Sequence, residues 1–182
     1  MKKIAVLFSG QGTNFAHIVN TLHKKELEVV VALTNKPDAG GIEVAKNANI
    51  PLEIVDASLF ESREDFDREV VSRLQKYQPD LTVLAGFMRI LTSVFTEQIH
   101  AINLHPSLLP RHKGLDAIEK SFEDEYPAGG VSVHWVTSEL DGGEIILQKE
   151  VVKESSDFER YDTKVRQVEK EALIEAILTV LL

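Results

Sequence analysis

The chain has 182 residues, of which 43% are hydrophobic and 27% charged, with a formal net charge of -9 and no cysteine. This length and balance are typical of a single globular domain with a substantial core. The acidic charge argues against a broad nucleic-acid-binding face, and the lack of cysteine excludes disulfides, thiolate nucleophiles and Cys-based metal sites.

The N-terminal apolar run is short. Residues 4–8 are apolar and the run breaks at Ser9-Gly10, which is too short for a signal peptide. No apolar stretch reaches the length that spans a membrane. We therefore expect a cytoplasmic protein without a membrane partner.

The chain opens with a strand, a glycine-rich turn and a helix. Residues 4–8 are typical of a strand buried on both faces, and helical spacing begins at Phe15. Glycines let a ligand approach the backbone, and a helix N-terminus offers free N–H groups. The turn is neither a dinucleotide fingerprint, whose third glycine would fall at Phe15, nor a P-loop. A phosphate seat, favoured by Thr13 and Asn14, and a purely structural turn are both open interpretations.

Strand and helix patterns then alternate. The predicted strands are residues 28–34, 52–55, 81–87 and 101–104, and the predicted helices are residues 42–49, 63–77 and 88–99. Such alternation predicts an α/β fold, with a mainly parallel, doubly wound (Rossmann-like) sheet and helices on both faces. Ligands bind such sheets at the carboxyl ends of the strands. Three segments follow strand ends, at residues 10–14, 86–91 and 103–110.

The second half has a different pattern. A helix is predicted over residues 114–123, followed by strands over 131–137 and 144–152 that are joined by a tight turn. Such a pair favours an antiparallel extension of the sheet. A long amphipathic helix over 155–182, capped by Ser155 or Ser156, closes the chain. We expect one domain over 1–182, with halves 1–100 and 101–182.

Asn103 and His105 are the first candidates for chemistry. Residues two apart on an extended strand face the same side, so an amide and an imidazole point together. An amide donor beside a group that titrates near neutrality can stabilise and protonate an oxyanion. A hydrogen-bonded structural histidine is the alternative.

Asp141 and three further histidines are the next polar candidates for a site. Asp141, in a glycine turn, either begins that turn or places a carboxylate beside His105, favouring its protonated form. We interpret His100 and His112 as surface residues and His134 as a sheet residue or a partner of the site. Without cysteine, and without paired histidines at ligand spacing, no metal is expected.

Two motifs resemble the signature of the folate-dependent formyltransferases. They are Asn-Leu-His-Pro-Ser-Leu-Leu-Pro at residues 103–110 and Leu-Asp-Gly-Gly at residues 140–143. These motifs also fit the members that formylate methionyl-tRNA or sugar nucleotides, or that hydrolyse formyltetrahydrofolate. Residues 9–14 and 85–91 resemble the phosphate loop and folate pocket of the members that formylate phosphoribosylglycinamide. The extra domains of the tRNA-modifying and hydrolytic members are not expected here.

The resemblance implies transfer of a formyl group from 10-formyltetrahydrofolate, as co-substrate, to the amine of phosphoribosylglycinamide in purine synthesis. It implies small-molecule substrates, no nucleic acid, no metal, and a monomer or weak homodimer. The implied catalytic residues are Asn103, His105 and Asp141. The implied phosphate-binding residues are Gly10, Gly12, Thr13 and Asn14, and Glu169 meets the glycinamide. The implied folate-binding residues are Arg63, Met88, Arg89, Ile90, Leu91 and Leu140, together with Asn103 and Asp141.

The chain departs from the family pattern at Asp116, where the family often has a histidine, and lacks a proline just beyond Glu169. Two rival functions remain. A hydrolytic relative would keep the same three catalytic residues but need no phosphate loop. A non-catalytic nucleotide- or folate-binding module would have no need of those residues at strand ends.

Overall fold

The computed structural model describes all residues 1–182. Its strands are β1 Lys2–Phe8, β2 Leu27–Thr34, β3 Leu52–Ile54, β4 Leu81–Leu84, β5 Ala101–His105, β6 Ala128–Trp135 and β7 Ile145–Val152. Its helices are α1 Thr13–Leu22, α2 Gly41–Asn47, α3 Arg63–Gln75, α4 Ser93–Thr96, α5 Ala117–Glu123 and α6 Phe158–Leu181.

The seven strands form one sheet in the order β3-β2-β1-β4-β5-β6-β7. Strand β1 pairs in parallel with β2 and β4, and β2 pairs in parallel with β3. Strands β6 and β7 are antiparallel. The predicted fold class is therefore confirmed: a mainly parallel α/β sheet with an antiparallel extension and a long C-terminal helix.

Two compact units make up the chain, Met1–Ile102 and Asn103–Val180, and the last two residues are divided between them. In the first unit, residues 4–8 of β1 are 0% exposed, as their continuous apolar run predicts. The Phe8 ring stacks on Phe15 of α1, with the ring centroids 5.3 Å apart. The prediction of a single domain over 1–182 stays a prediction.

In the second unit, β6 places Val131 and Val133 in the core. Helix α6 buries a stripe of apolar side chains at helical spacing, among them Val165, Ala172 and Ala176. Its cap differs from the prediction. The helix begins at Phe158, because the Asp157 carboxylate, rather than a serine, accepts hydrogen bonds from the first backbone N–H groups.

The predicted helix over residues 88–99 is wrong over most of its length, since only Ser93–Thr96 is helical. Gly86 has a left-handed backbone, with φ at 77°. The N–H and hydroxyl of Thr92 both donate to the buried Asp67 carboxylate, each at 2.7 Å. These bonds stabilise an irregular segment before α4. No helix of the protein is long and apolar enough to cross a membrane.

Candidate active site

Strand β5 carries Asn103 and His105 to its carboxyl end. His105, the last residue of the strand, is 6% exposed, whereas Asn103 is half-buried. Their i, i+2 spacing directs both side chains to the same carboxylate, that of Asp141. The sequence-based prediction that Asn103 and His105 share one side of the strand agrees with this geometry.

Acceptors face both ring nitrogens of His105. The carbonyl oxygen of His112 lies 2.8 Å from Nε2, and Asp141 Oδ2 lies 3.5 Å from Nδ1. A carbonyl can only accept, so Nε2 carries a hydrogen. A ring whose two nitrogens both face oxygen acceptors is fully matched only as the doubly protonated imidazolium. Both ring nitrogens of His105 therefore face groups that can accept a hydrogen bond.

Asp141 is a buried carboxylate with partners on both oxygens. The Gly114 N–H donates to Oδ2 at 2.9 Å, and the Asn103 amide lies 3.5 Å from Oδ1. Burial alone would raise the pKa of Asp141, but the approach of His134, the Gly114 bond and the His105 charge together lower it. Asp141 is therefore a carboxylate at neutral pH.

His134 of β6 completes the cluster. Its Nδ1 donates to the Trp135 carbonyl at 2.8 Å, so Nε2 is directed at the site. Nε2 lies 3.3 Å from the Asn103 amide nitrogen and 3.7 Å from Asp141 Oδ1. His134 thus orients the Asn103 amide, in agreement with its interpretation as a partner of the site.

The two histidines that the sequence predicts to lie on the surface, His100 and His112, differ from one another. His100 is exposed, as expected. The expectation that His112 is also a surface residue is wrong. Its side chain is only 26% exposed and its Nε2 lies 2.7 Å from Asp124 Oδ2. Its backbone carbonyl contacts His105, a role that no side-chain pattern in the sequence reveals.

In the first unit, two of the predicted ligand-binding segments lie side by side. The Ser9 N–H donates to the Gly86 carbonyl at 2.9 Å, and the Ser9 hydroxyl accepts from the Met88 N–H at 2.8 Å. Gly12 caps α1 with a left-handed φ of 76°. Thr13 then begins the helix and is exposed, and Asn14 is half-buried. A glycine turn with an exposed helix N-terminus is able to bind an anion.

Residues 88–91 alternate between exposed and inward-facing side chains. Met88 and Ile90 are 61% and 49% exposed, whereas Leu91 is buried. Arg89 is not a free cation at the ligand edge, because its guanidinium lies over the Phe66 ring, 4.7 Å from the centroid. The exposed side chains and the backbone are what this segment offers to a planar ligand.

The remaining predicted site residues lie on separate elements. Arg63 is exposed at the first residue of α3. Leu140, next to Asp141, is 49% exposed, and Glu169 is buried on α6, with Oε1 4.0 Å from Arg166. No group of three or more His, Asp or Glu side chains is arranged to hold a metal ion.

Known proteins resemble this chain over nearly its whole length. A family model described as formyl transferase matches residues 2–177. The chain belongs to the formyl transferase family. The Escherichia coli (strain K12) protein named phosphoribosylglycinamide formyltransferase is 39% identical over 180 residues, covering 97% of this chain and 85% of that protein.

A solved structure of phosphoribosylglycinamide formyltransferase from Campylobacter jejuni matches with a TM-score of 0.97 and 46% identity, covering 100% of this chain and 98% of that one. The Gallus gallus trifunctional purine biosynthetic protein adenosine-3 is 37% identical over 180 residues, which cover 96% of this chain and 18% of that protein. This formyl transferase family member is therefore a formyl-transferring enzyme, and its family implies a folate-derived donor.

In this formyl transferase, the three residues of the cluster can perform two chemical tasks. The Asn103 amide and the His105 ring are hydrogen-bond donors for an oxyanion, and Asp141 is an anion that stabilises a protonated ring. Sequence reasoning predicted these three residues. It missed the Gly114 N–H and the His112 carbonyl, because backbone groups in an irregular loop leave no sequence pattern.

Proposed function

We propose that this enzyme transfers the formyl group of 10-formyltetrahydrofolate to the amine of N1-(5-phosphoribosyl)glycinamide, giving the N-formyl product and tetrahydrofolate in purine (IMP) synthesis. The observation that carries the proposal is the convergence of Asn103 and His105 on the Asp141 carboxylate. The recipient is supported by the relatives named phosphoribosylglycinamide formyltransferase and by the anion-binding turn at α1.

The reaction begins when the substrate amine attacks the formyl carbon and produces a tetrahedral oxyanion. The Asn103 amide nitrogen and His105 Nδ1 each lie 3.5 Å from an oxygen of Asp141. Hydrogen bonds of that length are weak, so a substrate oxygen can take over both donors at little cost. Removal of one such donor typically slows turnover by about a hundredfold to a thousandfold.

Asp141 assists the proton transfers. Its lowered pKa makes it a weak base, so its first role is to keep His105 charged. His105 then donates to the developing oxyanion, while the proton of the attacking amine passes to the departing folate nitrogen, with Asp141 or a water molecule as carrier. No covalent enzyme intermediate is required, because the nucleophile belongs to the substrate.

The ligand contacts are assigned by the same proposal. Gly10, Gly12, Thr13 and Asn14 bind the substrate phosphate, and Glu169 binds the glycinamide end of the substrate. Folate contacts come from Arg63, Met88, Arg89, Ile90, Leu91 and Leu140, together with Asn103 and Asp141. The packing of Arg89 on Phe66 restricts its contribution to the backbone. We further propose that the enzyme is a monomer or weak homodimer in the cytoplasm.

A formyl-transfer assay that follows folate absorbance tests the proposal. We expect turnover of 10-formyltetrahydrofolate only when phosphoribosylglycinamide is present, with formylated product in equal amount. Release of formate without the amine would instead assign a hydrolase.

Substitution of Thr13 or Asn14 by alanine should chiefly raise the KM for phosphoribosylglycinamide. A change confined to the folate KM would remove the phosphate assignment.

A further inference from the structure

Asp124 is the centre of a cluster of charged groups that the proposed reaction does not use. Its Oδ2 lies 2.7 Å from His112 Nε2, and its Oδ1 lies 2.6 Å from Lys153 Nζ. The Asp124 and Lys153 side chains are only 12% and 11% exposed. Enclosed ion pairs of this kind require good geometry, and here both carboxylate oxygens have a charged or polar partner.

Lys153 connects this cluster to the sheet, because it directly follows the last residue of β7. Its backbone N–H donates to the Pro127 carbonyl at 3.0 Å, and its ammonium group also donates to the Asp124 carbonyl at 3.1 Å. The Tyr126 N–H donates to Asp124 Oδ1 at 3.0 Å. The position of the Asp124 carboxylate is thus determined by bonds from Lys153, which adjoins β7, and from the Tyr126 N–H.

On its other side, Asp124 holds a residue with an unfavourable backbone. His112 has a left-handed φ of 54°, a backbone conformation that residues other than glycine seldom adopt without support. The bond to Asp124 provides that support. In this conformation the His112 carbonyl accepts the hydrogen of His105 Nε2 at 2.8 Å.

We propose that Asp124 is a positioning residue for the reaction: through the His112 side chain it fixes the carbonyl that orients the His105 ring. With Nε2 tied to this carbonyl, Nδ1 is left facing Asp141. This inference rests on the proposed function, since it assigns the ring orientation that lets His105 donate to the oxyanion. Asp124 itself does not contact the substrate.

Kinetics of variants test this role. We expect Asp124→Ala to lower kcat about tenfold while both KM values stay within twofold, because a displaced donor slows the chemical step more than binding. His112→Phe keeps the ion pair between Asp124 and Lys153 and should lower kcat to the same extent. The double variant should be no slower than either single variant, since both break one connection.

The matched control is Glu175→Ala. It removes the 2.6 Å pair between Lys149 and Glu175 in the same unit, and it should leave kcat unchanged. If Asp124→Ala fails to fold, His112→Phe gives the same test alone. A kcat within twofold of the unsubstituted enzyme in His112→Phe, or losses that add in the double variant, would overturn the proposal.

Nuclear magnetic resonance of the histidine rings separates this proposal from the proposed function. We expect a slowly exchanging His105 Nε2 proton, assigned by its loss in His105→Asn, that disappears in Asp124→Ala and in His112→Phe. If His105→Asn retains turnover, the role of His105 in the proposed function fails, whereas the ring proton still tests the connection. A ring proton that persists in both variants overturns the role of Asp124.

Discussion

His105 and Asp141 face each other across 3.5 Å, between Nδ1 of the ring and Oδ2 of the carboxylate, and both side chains are more than nine-tenths buried. Neither group is held by this contact alone, because His105 Nε2 donates to the His112 carbonyl and Asp141 Oδ2 accepts from the Gly114 N–H. Each can therefore exchange its partner for substrate without losing its position.

The first prediction concerns the charge of Asp141. Asp141→Asn retains an oxygen that accepts from the Gly114 N–H, so the fold should persist, with an unchanged circular dichroism spectrum. Turnover should fall by about a hundredfold or more, because a protonated His105 loses its anionic partner. The control is Glu139→Gln, an exposed acid in the same turn. Near-normal turnover of Asp141→Asn would exclude Asp141 from the mechanism.

The second prediction compares two glycines of the turn before α1. A Cβ at Gly10 would meet no atom within 4 Å, whereas a Cβ at Gly12 would lie 2.7 Å from the Gly41 Cα and require a positive φ. We expect Gly12→Ala to reduce the free energy of unfolding by about 1–3 kcal/mol. Gly10→Ala should fold normally but raise the KM for phosphoribosylglycinamide, because the methyl group occupies space needed by the phosphate.

Urea unfolding and steady-state kinetics of both variants are the measurements. An unchanged KM in a stable Gly10→Ala would argue that the turn is purely structural.

The parts of the fold that follow a regular period were predictable from the sequence. Apolar runs gave the buried strand β1 and the alternation with helices gave the sheet class. The pairing of Asn103 with His105 followed from strand geometry, since residues two apart face one side. Asp141 was predictable as a carboxylate in a glycine turn, although its depth of burial was not.

Features that depend on single tertiary contacts were not predictable. Residues 88–92 have helical spacing of apolar residues, which predicts a helix. The Thr92 N–H and hydroxyl instead donate to the carboxylate of Asp67 on another helix, and the segment is irregular. His112 was expected on the surface because nothing near it in sequence indicates a partner. Asp124 lies 12 residues further along the chain, directly after α5, and such a contact has no period by which to recognise it.

The third prediction concerns Asp67, which is 0% exposed. Burial raises the pKa of Asp67, while the Thr92 hydrogen bonds and the charge of Arg89 oppose that rise. Asp67→Ala would leave the N–H and the hydroxyl of the half-buried Thr92 without their acceptor, and we expect it to lower the free energy of unfolding by about 1–3 kcal/mol in total. The KM for folate should also rise, because residues 88–91 belong to the segment that the Thr92 bonds hold in place.

Urea unfolding checks the stability loss, and the control is Asp65→Ala on the same helix. Asp65 is exposed and pairs with Arg68 at 2.7 Å, so its removal should change stability by less than about 1 kcal/mol. Equal losses in the two variants would show that the bonds to Thr92 carry no special weight.

The fourth prediction uses the acid dependence of stability at Asp124. Burial alone would raise the pKa of Asp124, but bonds from Lys153, His112 and the Tyr126 N–H lower it from an ordinary value of 3.8 to about 2. A lowered carboxyl pKa means that the folded state releases its proton more readily than the unfolded chain. At a pH above the ordinary pKa of 3.8, the ionised carboxylate therefore contributes about 2 kcal/mol to the free energy of unfolding. This contribution disappears as the pH falls through about 2.

The difference in unfolding free energy between the unsubstituted enzyme and Asp124→Asn measures this contribution. We expect it to be constant from pH 7 to about pH 5 and to shrink progressively between about pH 4 and pH 2, where the carboxylate becomes protonated in both states. Glu125→Gln, at an exposed neighbouring position, is the matched control. A difference that stayed constant or grew on acidification would mean that the ionised carboxylate is not what holds Lys153 and His112 in place.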